Sequence, residues 1–374
     1  MNKCDVLITY CWNRVGYNIL RSLTSKGLTV WTADTSKKNI CSSSKFCAGS
    51  FVYPDPFTQE DAFIQCLKKK VRELNPKVLL PTHDESQVIM RHRQEFPANL
   101  IIPYMDAETL ETLSDKAWAT EKAAECGVPV PQIYKKWKDV DKFPCVFKTV
   151  IGNSAKNVFF PKNTIELEKL VKKFRGEKTL IEEWIGGTDY SADCIRWDDF
   201  FKVSVYHALV TKTDGGGTTT QRVIASVPEL EKFARMLLDH IEFKGVCGID
   251  FRYEPKTGKV AFIEVNARFT GGIATPITAG FNIPWIVYSL ATIGRYDEPI
   301  NVNIGTRTKW ILGDIITLVG YLFSLKFKWQ EWKQVLTFKG FDAFDDYRKD
   351  DRCAIWGEMA YYWRKLIKNG KLNP

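Results

Sequence analysis

Apolar and polar positions along the first hundred residues follow two different periods. Short apolar runs predict three buried strands, at 5–10, 28–33 and 77–80. Helical spacing of apolar residues over 15–26 and 60–74 predicts a helix after each of the first two strands. Because strands that alternate with helices form a parallel sheet covered on both faces, the pattern predicts an N-terminal α/β domain over residues 1–103.

The pattern becomes mixed after residue 103. Helices are predicted at 114–126 (with Ser114 as N-cap), 164–173 and 228–241. Strands are predicted at 145–148, 158–160, 179–185, 190–195, 200–210 and 222–227. This order predicts an α+β domain over 104–300, divided into subdomains 104–186 and 187–300, and a mainly helical C-terminal extension over 301–374.

A β-hairpin is predicted at 246–266, because two β-rich runs flank a turn that contains Pro255 and Gly258. Alternation along the second strand places Ala261, Ile263 and Val265 on one face and Glu264 and Asn266 on the other.

Asp250, on the first strand of the hairpin, can join Glu264 and Asn266. Three hard oxygen ligands suit Mg²⁺, which prefers one or two carboxylates together with substrate phosphates. The alternative for this stretch taken alone is an ordinary hairpin with a polar, solvated face.

Composition limits the classes of function. The chain has 374 residues, 45% of them hydrophobic and 26% charged, with a net charge of +9. The sequence contains no basic block with interleaved aromatic residues of the kind that is typical of a nucleic-acid module, so nucleic acid is not an expected partner. The ten cysteines are scattered without metal-site spacing, which favours reduced thiols and a cytoplasmic location. Neither a signal peptide nor a spanning helix is expected.

Of four loops that could contact a ligand, one is rejected and three stay candidates. The first strand–turn–helix holds one glycine, Gly16, where a dinucleotide fingerprint needs three, so that interpretation is rejected. Residues 81–86 follow a parallel strand and could contact substrate, or His83 could be a surface histidine. The small, polar loop 149–157 could hold phosphate oxygens beside Lys148. The glycine-rich loop 214–220 could act as a lid.

The order of these features resembles the ATP-grasp superfamily over residues 1–300, and the first third is similar to the N-terminal domain of carbamoyl-phosphate-synthase-like ligases. Five motifs carry the resemblance in sequence order: Ser114-Asp115-Lys116, residues 143–148 ending at Lys148, the loop 152–157, the linker 180–191, and the closing set Asp250, Glu264, Asn266 and Arg268.

The resemblance implies a role for each matching residue. Phosphate contacts would come from Lys116, Lys148, Ser154 and Lys156, with Lys212 as a further candidate. Adenine and ribose would be held by Glu182, by backbone atoms of Glu183 and Ile185, and by Asp189. One or two Mg²⁺ ions, or Mn²⁺, would be bound by Asp250, Glu264 and Asn266. Arg268 would steady the acyl phosphate or the substrate carboxylate.

The sequence departs from the family pattern in two places. The phosphate loop lacks its usual glycines, and Asn153, Lys156 and Asn157 stand among its residues. Gly248 occupies a position where D-alanine-ligase-type relatives carry a catalytic arginine, which shifts that role to Arg268 and Arg222.

The resemblance implies an ATP- and Mg²⁺-dependent ligase that activates a carboxylate as an acyl phosphate and transfers it to an amine. Both substrates would be small molecules, bound by loops such as 81–86 and 269–279. Two alternatives stay open, a carboxylase-like or carbamoyl-phosphate-type phosphorylating enzyme and a non-catalytic nucleotide-binding protein. A homodimer also stays open.

The apolar stretch 310–327 lies in the C-terminal extension, with lysines and tryptophans flanking it across 309–333. One interpretation is a helix packed on the enzyme core. The alternative is an interfacial helix that contacts a membrane surface, since an apolar face with basic and tryptophan flanks suits such a surface.

Overall fold

The computed structural model describes residues 3–150, 157–213, 216–323 and 329–369, and three β-sheets with flanking helices organise these ranges. The first sheet is parallel, with strand order β3-β2-β1-β4. Its strands are β1 (Val6–Ile8), β2 (Val30–Asp34), β3 (Gly49–Val52) and β4 (Val78–Leu80). The helices of this region are α1 (Arg14–Ser25), α2 (Glu60–Leu74), α3 (Glu85–Arg91) and α4 (Ala107–Leu113). The predicted α/β fold class is confirmed, while β3, α3 and α4 were not predicted.

The second sheet is small and antiparallel, with strand order β6-β5-β7. Its strands are β5 (Cys145–Thr149), β6 (Val158–Phe159) and β7 (Thr179–Glu183), accompanied by α5 (Lys116–Glu125) and α6 (Thr164–Lys173). The predicted N-cap of α5 was wrong. Asp115 caps the helix, because its carboxylate accepts from the amides of Ala117 and Trp118, whereas Ser114 lies one residue too early.

The third sheet has seven strands, in the order β12-β11-β8-β9-β10-β13-β14. Five of its strands are β8 (Thr188–Trp197), β9 (Phe200–Thr213), β10 (Gly216–Ala225), β11 (Gly245–Glu254) and β12 (Lys259–Asn266). Helix α7 (Pro228–His240) buries Leu230, Ala234 and Leu237 against Ile249 and Phe251 of one sheet face. The opposite face is thereby left for polar side chains.

Elements of the C-terminal part pack on the N-terminal core and extend the third sheet. Helices α8 (Ala274–Ala279) and α9 (Ile283–Ile293) pack on the N-terminal core, where Phe281 and Ile286 meet Ile19 and Leu23. The remaining elements are β13 (Arg307–Lys309), α10 (Ile311–Phe323), α11 (Trp329–Leu336), β14 (Ala343–Phe344) and α12 (Cys353–Asn369). Since β13 and β14 extend the third sheet, the region is not purely helical. The domain boundaries stay predictions.

The suggestion of a membrane-facing segment at 309–333 does not fit its described part. Lys309 is fully buried, and its Nζ atom donates to the carbonyl of Thr337 at 2.8 Å and pairs with Asp314 at 2.9 Å. Trp310 is 1% exposed and donates to Glu358. The helix therefore begins inside the protein. Within the described ranges, no helix combines the length and apolar character needed to cross a membrane.

Candidate active site

The hairpin forms as predicted, with one irregularity that changes its faces. Asp250 lies opposite Glu264, but Phe251 lies opposite Phe262, so Ile263 is an extra residue in β12. Because this bulge reverses the alternation, Phe262 and Val265 both enter the core against α7. The prediction that Ala261, Ile263 and Val265 share a face was therefore wrong, whereas Glu264 and Asn266 do share theirs.

The three predicted metal ligands lie together on the polar face of the third sheet. The Asn266 amide donates to Asp250 Oδ2 and to Glu264 Oε1, at 3.3 Å in each case. The Ser191 hydroxyl of β8 donates to the second oxygen of Asp250. Two carboxylates and an amide from adjacent strands are thus held in mutual contact.

The electrostatics of this cluster favour an added cation. Burial and the neighbouring charge of Glu264 raise the pKa of Asp250 to about 7. Burial opposes ionisation of Glu264 too, but the ammonium group of Lys116 outweighs it and lowers the pKa of Glu264. Asp250 is therefore the carboxylate whose charge is least compensated.

The oxygen atoms of the three predicted metal ligands are of the chemical type that binds a magnesium ion. Asp250, Glu264 and the side-chain oxygen of Asn266 are hard ligands, and a divalent cation would relieve the repulsion between the two acids. No group of three or more His, Cys, Asp and Glu residues is placed to hold a metal within the described ranges. A site with two acids is consistent with a magnesium ion that takes further ligands from substrate phosphates.

Two lysines connect this cluster with the small sheet. Lys116, at the start of α5, pairs with Glu264 at 3.0 Å, and the main chain of Lys116 donates to the Val150 carbonyl at the end of β5. Lys148 of β5 pairs with Glu182 of β7 at 2.8 Å, and both side chains are more than nine-tenths buried. Lys148 also contributes to the lowered pKa of Glu264. Positive charge therefore gathers between the small sheet and the carboxylates.

The predicted adenine and ribose contacts all have partners within the protein. Glu182 is paired with Lys148 at 2.8 Å, so a nucleotide would compete with this pair, and both predicted contacts stay predictions. The amide of Glu183 donates to the Gln132 carbonyl at 2.8 Å and is not free to meet a base. Arg252 pairs with Asp189 and donates to the carbonyl of Ile185. A nucleotide here would compete with Arg252 for both groups.

Arg268 lies at the cleft, and its predicted contact with substrate stays a prediction. Its Nε atom donates to Asp84 Oδ1 at 2.8 Å, which links β12 to the N-terminal domain. Although burial opposes ionisation, the charges of Arg268 and His83 hold the pKa of Asp84 well below its usual range. A narrow cleft beside this pair is lined by Asp84, Gln87, Ser114, Lys116, Glu264, Asn266 and Arg268.

His83 belongs to the same edge and is partly buried. Its ring stacks on Tyr10 with centroids 5.0 Å apart, and its Nδ1 atom lies 3.2 Å from Asp84. Tyr10 has a positive φ of 58°, a backbone conformation that non-glycine residues adopt at a cost. Asp84 and Ser86 of the 81–86 loop line the cleft, and substrate contact by this loop stays a prediction.

The predicted catalytic role of Arg222 is corrected. Its side chain is 1% exposed, pairs with Asp345, and donates to Thr275 Oγ1 at 3.0 Å and to the Thr219 carbonyl at 2.9 Å. A guanidinium group with all of these acceptors is occupied within the protein and supports the fold below the cleft.

Some predicted contacts cannot be placed. Ser154 and Lys156, with the rest of 151–156, lie outside the described residues, as does the start of the glycine-rich loop at 214–215. Lys212 lies on β9, but its side chain is outside the described part of the chain.

Asp193 was missed. It lies on β8 opposite Gly248, is 2% exposed, and accepts from the Thr270 hydroxyl at 2.9 Å. The signal was the alternation of Asp189, Ser191 and Asp193, which places all three on the face that carries Asp250.

The absence of a side chain at Gly248 has a steric explanation, since a Cβ atom there would lie 2.1 Å from the Thr270 side chain. An arginine at 248 cannot fit.

The fold has well-defined structural relatives. The N5-carboxyaminoimidazole synthetase from Staphylococcus aureus superposes with a TM-score of 0.65 at 16% identity, over 94% of this chain and 93% of that protein. The biotin carboxylase from Campylobacter jejuni, solved as a βγ-ATP complex, superposes with a TM-score of 0.66 at 13% identity, over 82% of this chain and 74% of that one. With these neighbours and the site above, the chain has the ATP-grasp fold, and the predicted resemblance to the ATP-grasp superfamily is confirmed.

Sequence similarity gives a more particular placement. Residues 175–313 match the family described as "ATP-grasp in the biosynthetic pathway with Ter operon". The chain is also 24% identical over 204 residues to the D-alanine–D-alanine ligase of Fusobacterium nucleatum subsp. nucleatum, a match that covers 51% of this chain and 66% of that ligase. The similarity therefore spans slightly less than two thirds of that relative.

Proposed function

We propose that this protein is an ATP- and Mg²⁺-dependent ligase that joins a small carboxylic acid to an amine. The observation that carries the proposal is the arrangement of charge across one cleft. Lys116 and Lys148 lie on the side of the small sheet, while Asp250, Glu264 and Asn266 lie on the large sheet. This arrangement suits a nucleoside triphosphate and its metal better than an uncharged ligand.

The chemistry requires two anions to approach each other. A substrate carboxylate attacks the γ-phosphate of ATP, the bond between the β- and γ-phosphates breaks, and an acyl phosphate and ADP form. Lys116 and Lys148 would offset the negative charge on the phosphates, and Mg²⁺, when bound, would neutralise charge on the transferring group. The amine then displaces phosphate from the acyl carbon and loses a proton.

Arg268 would orient the carboxylate. Its Nε atom is fixed on Asp84, so the other end of the planar guanidinium group can face the cleft. In this proposal the pair would bring the N-terminal domain to the reacting end of the substrate. We therefore propose that residues near Asp84, including the stacked Tyr10 and His83, contribute to recognition of the acid.

ADP release from the purified full-length chain tests this function. A panel of amino acids and hydroxy acids is offered with ATP and Mg²⁺, with and without amine acceptors, and products are analysed by mass spectrometry. We expect an acid to stimulate ADP release and an amide to appear only when an amine is present, which for an amino acid includes its own amino group. Glu264→Gln removes a metal ligand and should abolish the signal, whereas Glu121→Gln, on the exposed side of α5, should retain it.

Two outcomes would replace the proposal. Stimulation by bicarbonate alone, with no amide product, would indicate a carboxylase-like phosphorylating enzyme. Nucleotide binding without turnover under any acid would indicate a non-catalytic nucleotide-binding protein. Full activity of Glu264→Gln would show that the metal site is wrongly assigned.

A further inference from the structure

Helix α12 carries a stripe of large apolar side chains that no described residue covers. Trp356 is 66% exposed, Trp363 is 64% exposed and Ile367 is 71% exposed, with Met359 beside them at 40%. These positions are spaced by three, four and four residues, so they lie along one side of the helix. At 1.5 Å per residue the stripe is about 16 Å long.

The other side of α12 is fixed to the protein. Tyr362 is 4% exposed and packs near Trp310, while Glu358 accepts from the Trp310 indole at 3.1 Å. Gly357 allows close approach to the preceding domain, because a Cβ atom there would lie 2.3 Å from the Asn39 carbonyl oxygen. The helix is therefore held in its orientation, and the apolar stripe is the side directed away from the core.

Positive charge accompanies the stripe. Arg364 and Lys368 each follow a stripe residue by one position, which places both along one flank, and both are exposed. Arg352, just before the helix, is exposed as well. The acidic residue within α12 is Glu358, which is 1% exposed and lies on the inner side. The outer surface of α12 is thus apolar and basic.

We propose that this face of α12 docks the protein onto an anionic lipid bilayer surface. Tryptophan and isoleucine would enter the boundary between headgroups and acyl chains, while Arg364 and Lys368 would lie at the level of the anionic headgroups. A second copy of the chain is the less suitable occupant, because pairing two such faces brings like charges together. The proposal concerns where the enzyme works and is independent of which acid it uses.

Vesicle flotation of the full-length chain tests the proposal. The vesicles contain equal parts of phosphatidylglycerol and phosphatidylcholine, with pure phosphatidylcholine for comparison. We expect binding to the anionic vesicles, which added salt weakens. Trp356→Ser combined with Trp363→Ser should lower binding by about tenfold or more. Ile165→Ser, at an equally exposed apolar position of α6, is the matched control and should bind as the parent does.

A second pair of variants separates charge from apolar contact. Arg364→Gln with Lys368→Gln should lower binding by roughly fivefold for each charge removed, whereas Lys162→Gln with Lys169→Gln, exposed at α6, should not. Circular dichroism and ADP release confirm that each variant is folded.

Three results would overturn the proposal: no binding to the anionic vesicles, binding that survives the tryptophan changes, or a concentration-dependent dimer that those changes abolish. The last result would assign the face to a contact between copies.

Discussion

The third sheet carries two clusters of buried charge, and they are balanced differently. At the edge formed by β10, β13 and β14, Arg222 pairs with Asp345 and Lys309 pairs with Asp314 at 2.9 Å. Around β11 and β12, Lys116 pairs with Glu264, while burial raises the pKa of Asp250, and that of Asp193 on the neighbouring strand β8, to about 7. A balanced cluster stabilises a fold on its own. Two carboxylates that lie opposite each other on paired strands, as Asp250 and Glu264 do, are suited to a cation from outside.

This contrast separates two kinds of buried polar residue that look alike in sequence. Arg222 and Asp250 both lie on strands of one sheet and both were predicted to be functional, but Arg222 is buried and Asp250 is half-buried. Their partners differ, since the acceptors around Arg222 satisfy it completely while the neighbours of Asp250 include a second carboxylate. Burial and the neighbouring charges together therefore separate the two residues.

The largest expected effect comes from breaking the balanced cluster. Asp345 is fully buried and pairs with both Arg14, at 3.1 Å, and Arg222. Asp345→Asn leaves two buried guanidinium groups without their counter-charge and should lower the free energy of unfolding by about 3–5 kcal/mol. Urea denaturation measures this. Asp350→Asn, whose half-exposed side chain pairs with Arg21, should change stability little. Equal effects of the two changes would refute the assignment.

The same type of substitution in the acidic cluster should leave stability intact and lower activity. Asp250→Asn removes a charge that burial and Glu264 disfavour, so stability without metal should be unchanged or higher. Substrate-dependent ADP release should fall about a hundredfold, because a metal ligand is lost. Asp199→Asn, at an exposed turn, should affect neither quantity. If Asp250→Asn destabilised the protein and kept its activity, the two clusters would have been assigned the wrong way round.

A smaller effect is expected at the junction of the two domains. Arg268→Lys keeps the charge but cannot hold Asp84 and a carboxylate with one planar group, so kcat/KM should fall about tenfold. The loss should appear mainly in the KM of the acid if Arg268 binds that substrate. Arg295→Lys, a 76% exposed pair with Asp297, is the control. An unchanged KM for every acid would remove Arg268 from the substrate site.

Much of the fold follows from periodicity. The spacing in α2 and α6 predicted their bounds, and the Pro255 and Gly258 turn predicted the hairpin. Strand β3 was missed because its residues alternate between half-buried and exposed positions and contain no long apolar run. The bulge at Ile263 was also missed, because no residue type marks it.

The candidate site could be predicted where its residues lie on neighbouring strands of one hairpin. It was less predictable where residues that are distant in the sequence contact each other. Asp250, Glu264 and Asn266 share a strand pair, so local alternation brought them together. The Arg268–Asp84 pair joins residues 184 positions apart. The position of Arg222 depends on Asp345, from the C-terminal part. Such long-range pairs have no local sequence signal, which is why the catalytic role given to Arg222 was wrong.

The smallest expected effect is a pH dependence that belongs to the acidic cluster. Burial raises the pKa of Asp193 to about 7, above its value in the unfolded chain, so the native state binds more protons between these two values. The contribution of Asp193 to stability is therefore largest at low pH and is lost as the pH rises towards 7. One proton sets an upper limit of about 1.4 kcal/mol per pH unit. Asp193→Asn removes this titration.

The difference between wild type and Asp193→Asn isolates this group, because other buried carboxylates, such as Asp34 and Glu85, also have raised pKa values. We expect the stability of the wild type, measured by urea denaturation between pH 5 and pH 7, to fall relative to that of the variant. Parallel curves would mean that Asp193 keeps one charge state throughout. The acidic cluster would then be balanced like the cluster around Arg222, and the comparison between them would fail at its most sensitive point.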